Sequence, residues 1–197
     1  MKQKIFNSVF LVLILIFYCA FGLSFFRKDS IKDSNKDFLA CNTPEKFTAL
    51  HEASHAFMYF KTCKLYGYKF RPKKMTIVPV QGEYGSFIVD KDSSISDENR
   101  CRYYLAGMVG RLCYSNLGFK LTEMDIGSIP VPSKIDNAYE VDYVKASALI
   151  TNDSVYLNII KSLPAFLDRN KIEKIAMVLY REKTITNFKE VEKICNE

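Results

Sequence analysis

Hydrophobic and polar positions along the chain predict one long apolar segment followed by a mainly helical domain. Residues 5–26 contain no charged side chain. At the rise of an α-helix, a segment of this length spans about 33 Å, which is enough to cross a hydrocarbon core of about 30 Å. We therefore predict a single transmembrane helix within residues 1–26.

A cleaved signal peptide is the alternative for this segment, since Lys2 and Lys4 give it a positive start. The apolar run is longer than the usual core of such peptides, and Phe25 and Phe26 prolong it. The best candidate for a cleavage motif, Tyr18-Cys19-Ala20, places a bulky ring where a small side chain is needed. These features favour retention of the helix.

A charged linker is predicted for residues 27–42, and its basic residues bear on orientation and on lipid contact. Arg27, Lys28, Lys32 and Lys36 follow the apolar segment, whereas only Lys2 and Lys4 precede it. Because basic residues accumulate on the cytoplasmic side, the soluble part is expected in the cytoplasm. The same cluster would contact anionic lipid at the membrane surface.

Beyond the linker, the pattern predicts a domain over residues 43–197 that is mainly α with a small β hairpin, an α+β fold. Thr43-Pro44 is a helix-start signal, and the helix is expected to reach about Thr62. Two β-rich runs, Met75–Val80 and Ser86–Asp90, surround a glycine turn and predict the hairpin.

Apolar residues at helical spacing predict the next helix, from about Asp97 to Tyr114. It contains Gly107 and Gly110, for which close packing against another backbone is the usual reason. Residues 115–137 show little periodicity and predict a long loop, which in a compact domain is usually functional or mobile. Further helices are expected at 138–150, 154–162, 164–168 joined or close to 171–182, and after residue 186.

Composition excludes several classes of function. The net charge of +6 is spread along the chain without a run of basic residues interleaved with aromatics, so no nucleic-acid partner is expected. The six cysteines form no C-x-x-C pair, which argues against a zinc ribbon and a thioredoxin motif. The odd number outside the apolar segment favours reduced thiols over a disulfide framework.

The two histidines of the chain, His51 and His55, fall four residues apart in the sequence HEASH. On a helix both imidazoles lie on one face and can reach one ion, and Glu52 stands beside them as a general base for a zinc-activated water. The alternative is that two histidines meet by chance on an amphipathic helix. HExxH is short and has accidental matches, so the surrounding sequence must decide.

Four blocks resemble the peptidase domain of the FtsH-type membrane-anchored zinc metalloproteases, in the same order. LHEASHAFMYF resembles the A-x-x-H-E-A-G-H-A helix of that family, and MTIVPV with EYGSF is similar to its V-S-I-V-P-R-G…L-G segment. YYLAGMVGRLCY resembles its L-A-G-R-A-A-E-E helix, and KIEKIAMVLYREKTITNFKEVEKI its L-A-x-x-L-L-E-x-E-T-L-x-x-x-E-I ending. The resemblance covers roughly residues 45–195 and implies a zincin-like helical peptidase domain.

The resemblance also implies a third zinc ligand, an aspartate in a pattern like S-N-D-x-x-x-A. Asp136 and Asp142 are the two candidates, and Asp142 is preferred because Ala146 follows four residues later. The expected site therefore consists of His51, His55 and Asp142 as ligands of Zn²⁺ and Glu52 as the catalytic base. Without the resemblance, Asp142 would be read as an acid that stabilises a helix N-terminus.

The chain departs from the family in three places. Ser54 replaces the glycine of H-E-A-G-H, no acidic pair follows Leu105-Ala106-Gly107, and no G-x-x-x-x-G-K-[ST] phosphate loop is present. We therefore expect a zinc metallopeptidase that lacks the ATPase domain and cleaves protein or peptide segments that are already unfolded, unless a separate ATPase or adaptor assists it. The alternative is a catalytically inactive, peptidase-like membrane protein that recruits partners.

Overall fold

A computed structural model of the protein describes residues 43–79, 84–90, 94–136 and 140–197. The predicted membrane helix, its orientation and the predicted linker all lie outside these residues. None of the helices in the described ranges is long and apolar enough to cross a membrane. The described residues are mainly helical with a small antiparallel sheet, which confirms the predicted α+β class.

The described residues contain seven α-helices, three strands and one 3₁₀ turn at Pro132–Lys134. In chain order they are α1 (Pro44–Tyr66), β1 (Pro72–Thr76), β2 (Ser86–Val89), α2 (Asp97–Ser115), α3 (Glu123–Ser128), α4 (Val141–Leu149), α5 (Asp153–Phe166), α6 (Arg169–Glu182), β3 (Thr184–Ile185) and α7 (Lys189–Asn196).

Helix α1 is the central element, since it packs against α2, α6, α7 and the sheet. It begins as the sequence predicts: the Thr43 hydroxyl accepts a hydrogen bond from the first turn, and Pro44 occupies a position that needs no N–H donor. It continues past the predicted end at Thr62 to Tyr66. The actual stop is Gly67, whose φ of 73° is the left-handed conformation that closes many helices.

The sheet has the strand order β2-β1-β3, and both pairings are antiparallel. Met75 on β1 lies opposite Phe87 on one side and Ile185 on the other. The predicted hairpin is confirmed, but the strand ends at Thr76 rather than Val80. The pairing also makes β1 the central strand, and β3 was not predicted.

The predicted helix over Asp97–Tyr114 is confirmed as α2, which crosses α1 closely at its two internal glycines. A Cβ atom added at Gly110 would lie 2.2 Å from the Oγ atom of Ser54 on α1. One added at Gly107 would lie 2.4 Å from the Nε2 atom of His55. Both glycines therefore leave space for side chains of α1. The sequence predicts close packing against a backbone instead.

Part of the segment predicted as a loop, residues 115–137, forms helix α3 and the 3₁₀ turn. The Thr122 side chain and the Asp125 side chain form a reciprocal capping box at the start of α3. The Asn116 amide donates to the Asp125 carboxylate over 2.7 Å, which ties the preceding turn to the helix. These polar contacts explain how the segment is structured without hydrophobic periodicity.

The C-terminal helices supply much of the hydrophobic core. Pro164 lies in the last turn of α5, so the predicted break between two helices before Pro164 is wrong. The helix ends at Phe166 instead. Asp168 then caps α6, accepting a hydrogen bond from the Lys171 N–H over 3.1 Å. The fully buried side chains on these two helices include Tyr156, Ile160, Leu163, Ile172, Ile175 and Leu179.

The contact between Ser54 and Gly110 predicts a strong coupling between the two positions. Gly110→Ala should destabilise the fold by about 1–3 kcal/mol because its methyl group overlaps the Ser54 hydroxyl. Adding Ser54→Gly should recover most of that loss, although each glycine placed in a helix is itself unfavourable. Urea unfolding of the wild type, both single variants and the double variant measures the coupling as a double-mutant cycle.

Gly127→Ala is the matched control, because a Cβ atom there would meet nothing within 4 Å. It should not lower the free energy of unfolding. Additive effects of the Ser54 and Gly110 substitutions would contradict the contact.

Candidate metal centre

Two histidine side chains from the middle of α1 form the base of the site. Their spacing of four residues stacks them on one helix face, with ring centroids 4.6 Å apart and the rings nearly perpendicular. The two Nε2 atoms lie 3.0 Å apart. Helix α1 alone therefore brings two nitrogen donors to one point.

Asp142, in the first turn of α4, brings a carboxylate oxygen to the same point. Its Oδ2 atom lies 3.1 Å from Nε2 of His51 and 3.0 Å from Nε2 of His55. Among the described residues, these three form a group that could hold a metal ion. Asp136 lines a different cavity, beside Pro132 and Val144, so the structure brings the preferred aspartate to the histidines.

The Nε2 atoms of His51 and His55 and the Oδ2 atom of Asp142 form a triangle with three contacts. Hydrogen bonds can satisfy only two of these contacts at once. The carboxylate oxygen is solely an acceptor, so each histidine would need an Nε2–H to bond it. The contact between the two histidines would then place two N–H donors against each other. A cation between the three atoms interacts favourably with all of them, because each then presents a lone pair.

The orientation of His55 is fixed from behind by the backbone of α2. Its Nδ1 atom donates to the Tyr103 carbonyl oxygen over 2.8 Å, which leaves the Nε2 lone pair of a neutral ring directed at the centre of the triangle. The Tyr103 hydroxyl in turn donates to the Phe87 carbonyl oxygen on β2 over 3.1 Å. The orientation of the His55 ring therefore depends on α1, on α2 and on the sheet.

The space between the donors fits a small cation. Tetrahedral zinc bonded to nitrogen and oxygen at about 2.0–2.2 Å separates its ligand atoms by roughly 3.3–3.6 Å. The separations of 3.0–3.1 Å are a few tenths of an ångström shorter. Gly107 borders the same space: a Cβ atom there would lie 2.4 Å from Nε2 of His55 and 2.6 Å from Nε2 of His51, where an ion would sit.

Burial and charge separate the proton affinities of the three groups. Burial lowers the pKa of His51 below its ordinary value, and contact with Asp142 offsets this only in part. Burial acts the same way on His55, but the charge and hydrogen bond of Asp142 outweigh it and raise the pKa to about 9. Against its own burial, the two histidines hold the pKa of Asp142 well below the usual range. Without a metal, a proton on His55 therefore occupies the site at neutral pH.

Glu52 lies next to the triangle, at the floor of a cleft of about 400 Å³. Its residue is only 4% exposed, and its charge contributes to the raised pKa of His55. Gly85, just before β2, allows the close approach of this carboxylate, since a Cβ atom there would lie 2.8 Å from Oε1 of Glu52. Glu52, the residue expected as a general base, is thus buried and lines the same cleft as the three donors.

Three supporting features of the site were not predicted as such. Gly107 leaves space for an ion, Gly85 leaves space for Glu52, and the Tyr103 carbonyl orients His55. A glycine at a close approach can be suspected from sequence, but the atom it approaches cannot. A backbone carbonyl carries no side-chain signal at all.

Gly107→Ala should reduce metal binding strongly while the protein stays folded. The added methyl group would occupy the space between the two histidines, so zinc affinity should fall by roughly 100-fold, the upper end of what disturbing a ligand environment costs. Isothermal titration of the full-length chain in detergent with zinc measures this, and circular dichroism reports the fold. Gly127→Ala is the control and should bind zinc like the wild type; unchanged affinity of Gly107→Ala would place the ion elsewhere.

Metal binding should release about one proton at pH 7 to 8, because His55 is protonated in the metal-free site and must lose that proton to bind. The raised pKa of about 9 sets the window: apparent zinc affinity should rise about tenfold per pH unit below 9 and level off above it. Titrations at fixed pH in buffers of different ionisation enthalpy count the protons. Release of no proton at pH 7.5 would contradict a protonated His55 in the metal-free site.

Comparison with known proteins adds no family assignment to this geometry. A scan of the chain against protein-family models gives no match, and a search of the curated proteins gives none either. The resemblance carried by the four sequence blocks therefore stays a prediction, and the interpretation of the site rests on its own residues.

Proposed function

We propose that the protein is a zinc metallopeptidase that hydrolyses peptide bonds in unfolded or flexible protein segments. The observation that carries the proposal is the convergence of two imidazole nitrogens and one carboxylate oxygen around the space beside Gly107, with the buried Glu52 carboxylate next to them. Zinc with three protein ligands keeps a fourth position for water or substrate, as in catalytic sites.

Zinc is the proposed metal because the donor set and its neighbour together suit hydrolysis. Two histidines and one carboxylate also suit ferrous iron in oxygenases. A separate buried carboxylate beside the ligands, however, is what a metal-assisted hydrolysis needs, since it removes a proton from water. Glu52 therefore favours zinc and hydrolysis over iron and oxidation.

When bound, zinc supplies a Lewis acid that lowers the pKa of water and polarises a carbonyl group. Glu52 accepts the proton of the attacking water and delivers it to the leaving amine nitrogen, so one carboxylate serves as base and then as acid. His55 is kept in a fixed orientation by the Tyr103 carbonyl oxygen. The low exposure of Glu52 strengthens the electrostatic interaction of its carboxylate with a cation held by the three donors.

An extended peptide fits this cleft best along β2. Strand β1 is paired with β2 on one side and β3 on the other, so a peptide cannot be added to it. Strand β2 is at the edge of the sheet among the described residues, and Ser86 and Phe87 line the cleft beside the histidines. A substrate strand added there would place a backbone carbonyl group near the metal.

The packing of α1 on α2 supports kinship with the FtsH-type peptidases. Ser54 stands where the family pattern H-E-A-G-H has glycine, and Gly110 stands where L-A-G-R-A-A has alanine. Because the two residues touch, a larger side chain on one helix is matched by a smaller one on the other. The Ser54 hydroxyl is also satisfied, donating to the Leu50 carbonyl oxygen over 2.7 Å.

The proposed substrates are segments that need no unfolding, because the sequence contains no phosphate-binding loop. A separate ATPase or adaptor protein would extend the range to folded substrates. The proposed location is the membrane, through one helix in the first 26 residues that contacts lipid, with the peptidase domain in the cytoplasm.

Glu52→Gln should abolish peptide hydrolysis and leave zinc in place. Removal of a general base costs about 10²–10⁴ in rate, whereas the three ligands are untouched. The experiment compares cleavage of an unfolded casein by the zinc-loaded, full-length wild type and variant, with zinc content measured on the same samples. Glu45→Gln is the matched control, an exposed glutamate in the first turn of the same helix, and should cleave like the wild type.

Two results would contradict the proposal. Zinc retained in both proteins with no cleavage by the wild type would favour the non-catalytic binding protein. Equal cleavage by the wild type and Glu52→Gln would show that the activity arises elsewhere.

A further inference from the structure

We propose that the metal cleft selects substrate segments that carry a carboxylate group close to the reacting bond, and that Lys145 binds this carboxylate. This inference deepens the proposed peptidase function. It rests on that function, because the bound segment is a substrate only if the protein is a peptidase. The recognition itself requires only the folded, metal-loaded cleft.

Two contacts give the direction of α4 against α2. In the middle of α2, the Tyr104 ring lies 5.6 Å from the ammonium group of Lys145, which is in the middle of α4. Further along α2, the Arg111 guanidinium lies 3.5 Å from the carboxylate of Glu140, just before α4. The helices are therefore antiparallel along the cleft, and the ligand Asp142 lies between a cation on one side and an ion pair on the other.

The charges in the cleft leave Lys145 without compensation. A divalent ion would be balanced by the carboxylates of Asp142 and Glu52. The guanidinium of Arg111 has Glu140 beside it. Within the described ranges no aspartate or glutamate forms a salt bridge with Lys145. The remaining positive charge in the cleft is therefore on this lysine.

Lys145 is also placed where a bound peptide passes. It lines the cleft together with the metal-binding side chains, it is exposed, and its ammonium group lies over the Tyr104 ring, which limits where that group can go. It follows Asp142 by three residues, which is about 4.5 Å along the helix axis. Because one residue of an extended peptide covers about 3.3 Å, a side chain one or two residues from the reacting bond can reach it.

The carboxylate could come from an aspartate or glutamate side chain or from a free chain terminus. Both present the same planar anion to an ammonium group. The two sources are separated by peptides that carry an internal aspartate with an amidated end, or a free end with no internal acid.

The test measures binding of labelled peptides to the zinc-loaded, full-length Glu52→Gln protein, so that no cleavage intervenes. Each acidic peptide is paired with its asparagine or amidated counterpart. The expected preference for the acid is roughly two- to fivefold in affinity, as for a partly exposed ion pair, and it should shrink in 0.5 M salt. Adding Lys145→Glu should remove or invert the preference, whereas Lys145→Arg should keep it.

Lys161→Glu is the control for net charge, since this lysine is exposed on α5 and does not line the cleft. It should leave the preference unchanged. Equal binding of the acidic and neutral peptides, or equal effects of the two Lys→Glu variants, would overturn the inference. A preference that depends on Lys145 in a protein that never cleaves any peptide would uphold it while refuting the peptidase proposal.

Discussion

The close crossing of α1 and α2 is the constraint on which the candidate site depends. α1 carries both histidines and the glutamate, and α2 must approach it within contact of their side chains. Gly107 and Gly110 allow this approach, because a Cβ atom at either position would overlap a side chain of α1. One glycine leaves space for an ion and the other leaves space for Ser54. A single helix-helix contact thereby serves both the stability of the fold and the chemistry of the site.

Electrostatic balance then explains why these polar groups are tolerated in a largely buried place. A buried charge is costly unless it is paired, and here a carboxylate from α4 faces two imidazoles. In the absence of metal a proton on His55 provides the balance, and a divalent ion can replace it. The neighbouring Glu52 carboxylate benefits from the same positive charge. The three donors are therefore balanced in a protonated form, and together they could hold a metal ion.

Sequence reasoning located the parts of the site that have a local signature. The spacing of His51 and His55, the start of α1 at Thr43 and the helix over Asp97–Tyr114 all follow from patterns within one element. What it could not supply are features that arise between distant elements. The short strand β3 exists because β1 lies beside it, and it makes β1 a central strand.

The third donor shows the same limit. Periodicity could not separate Asp136 from Asp142, and only a resemblance favoured Asp142. The fold places Asp142 within 3.0–3.1 Å of the two histidine nitrogens, whereas Asp136 lines a different cavity.

The zinc-edge X-ray absorption spectrum of the full-length protein shows whether His51, His55 and Asp142 hold one ion. We expect two imidazole nitrogens and further oxygen ligands at about 2.0–2.2 Å, with no sulfur. Asp142→Asn should alter the spectrum or lose the metal, whereas Asp136→Asn should leave both unchanged. A sulfur shell at about 2.3 Å, or a spectrum that changes with Asp136 and not with Asp142, would contradict this set of ligands.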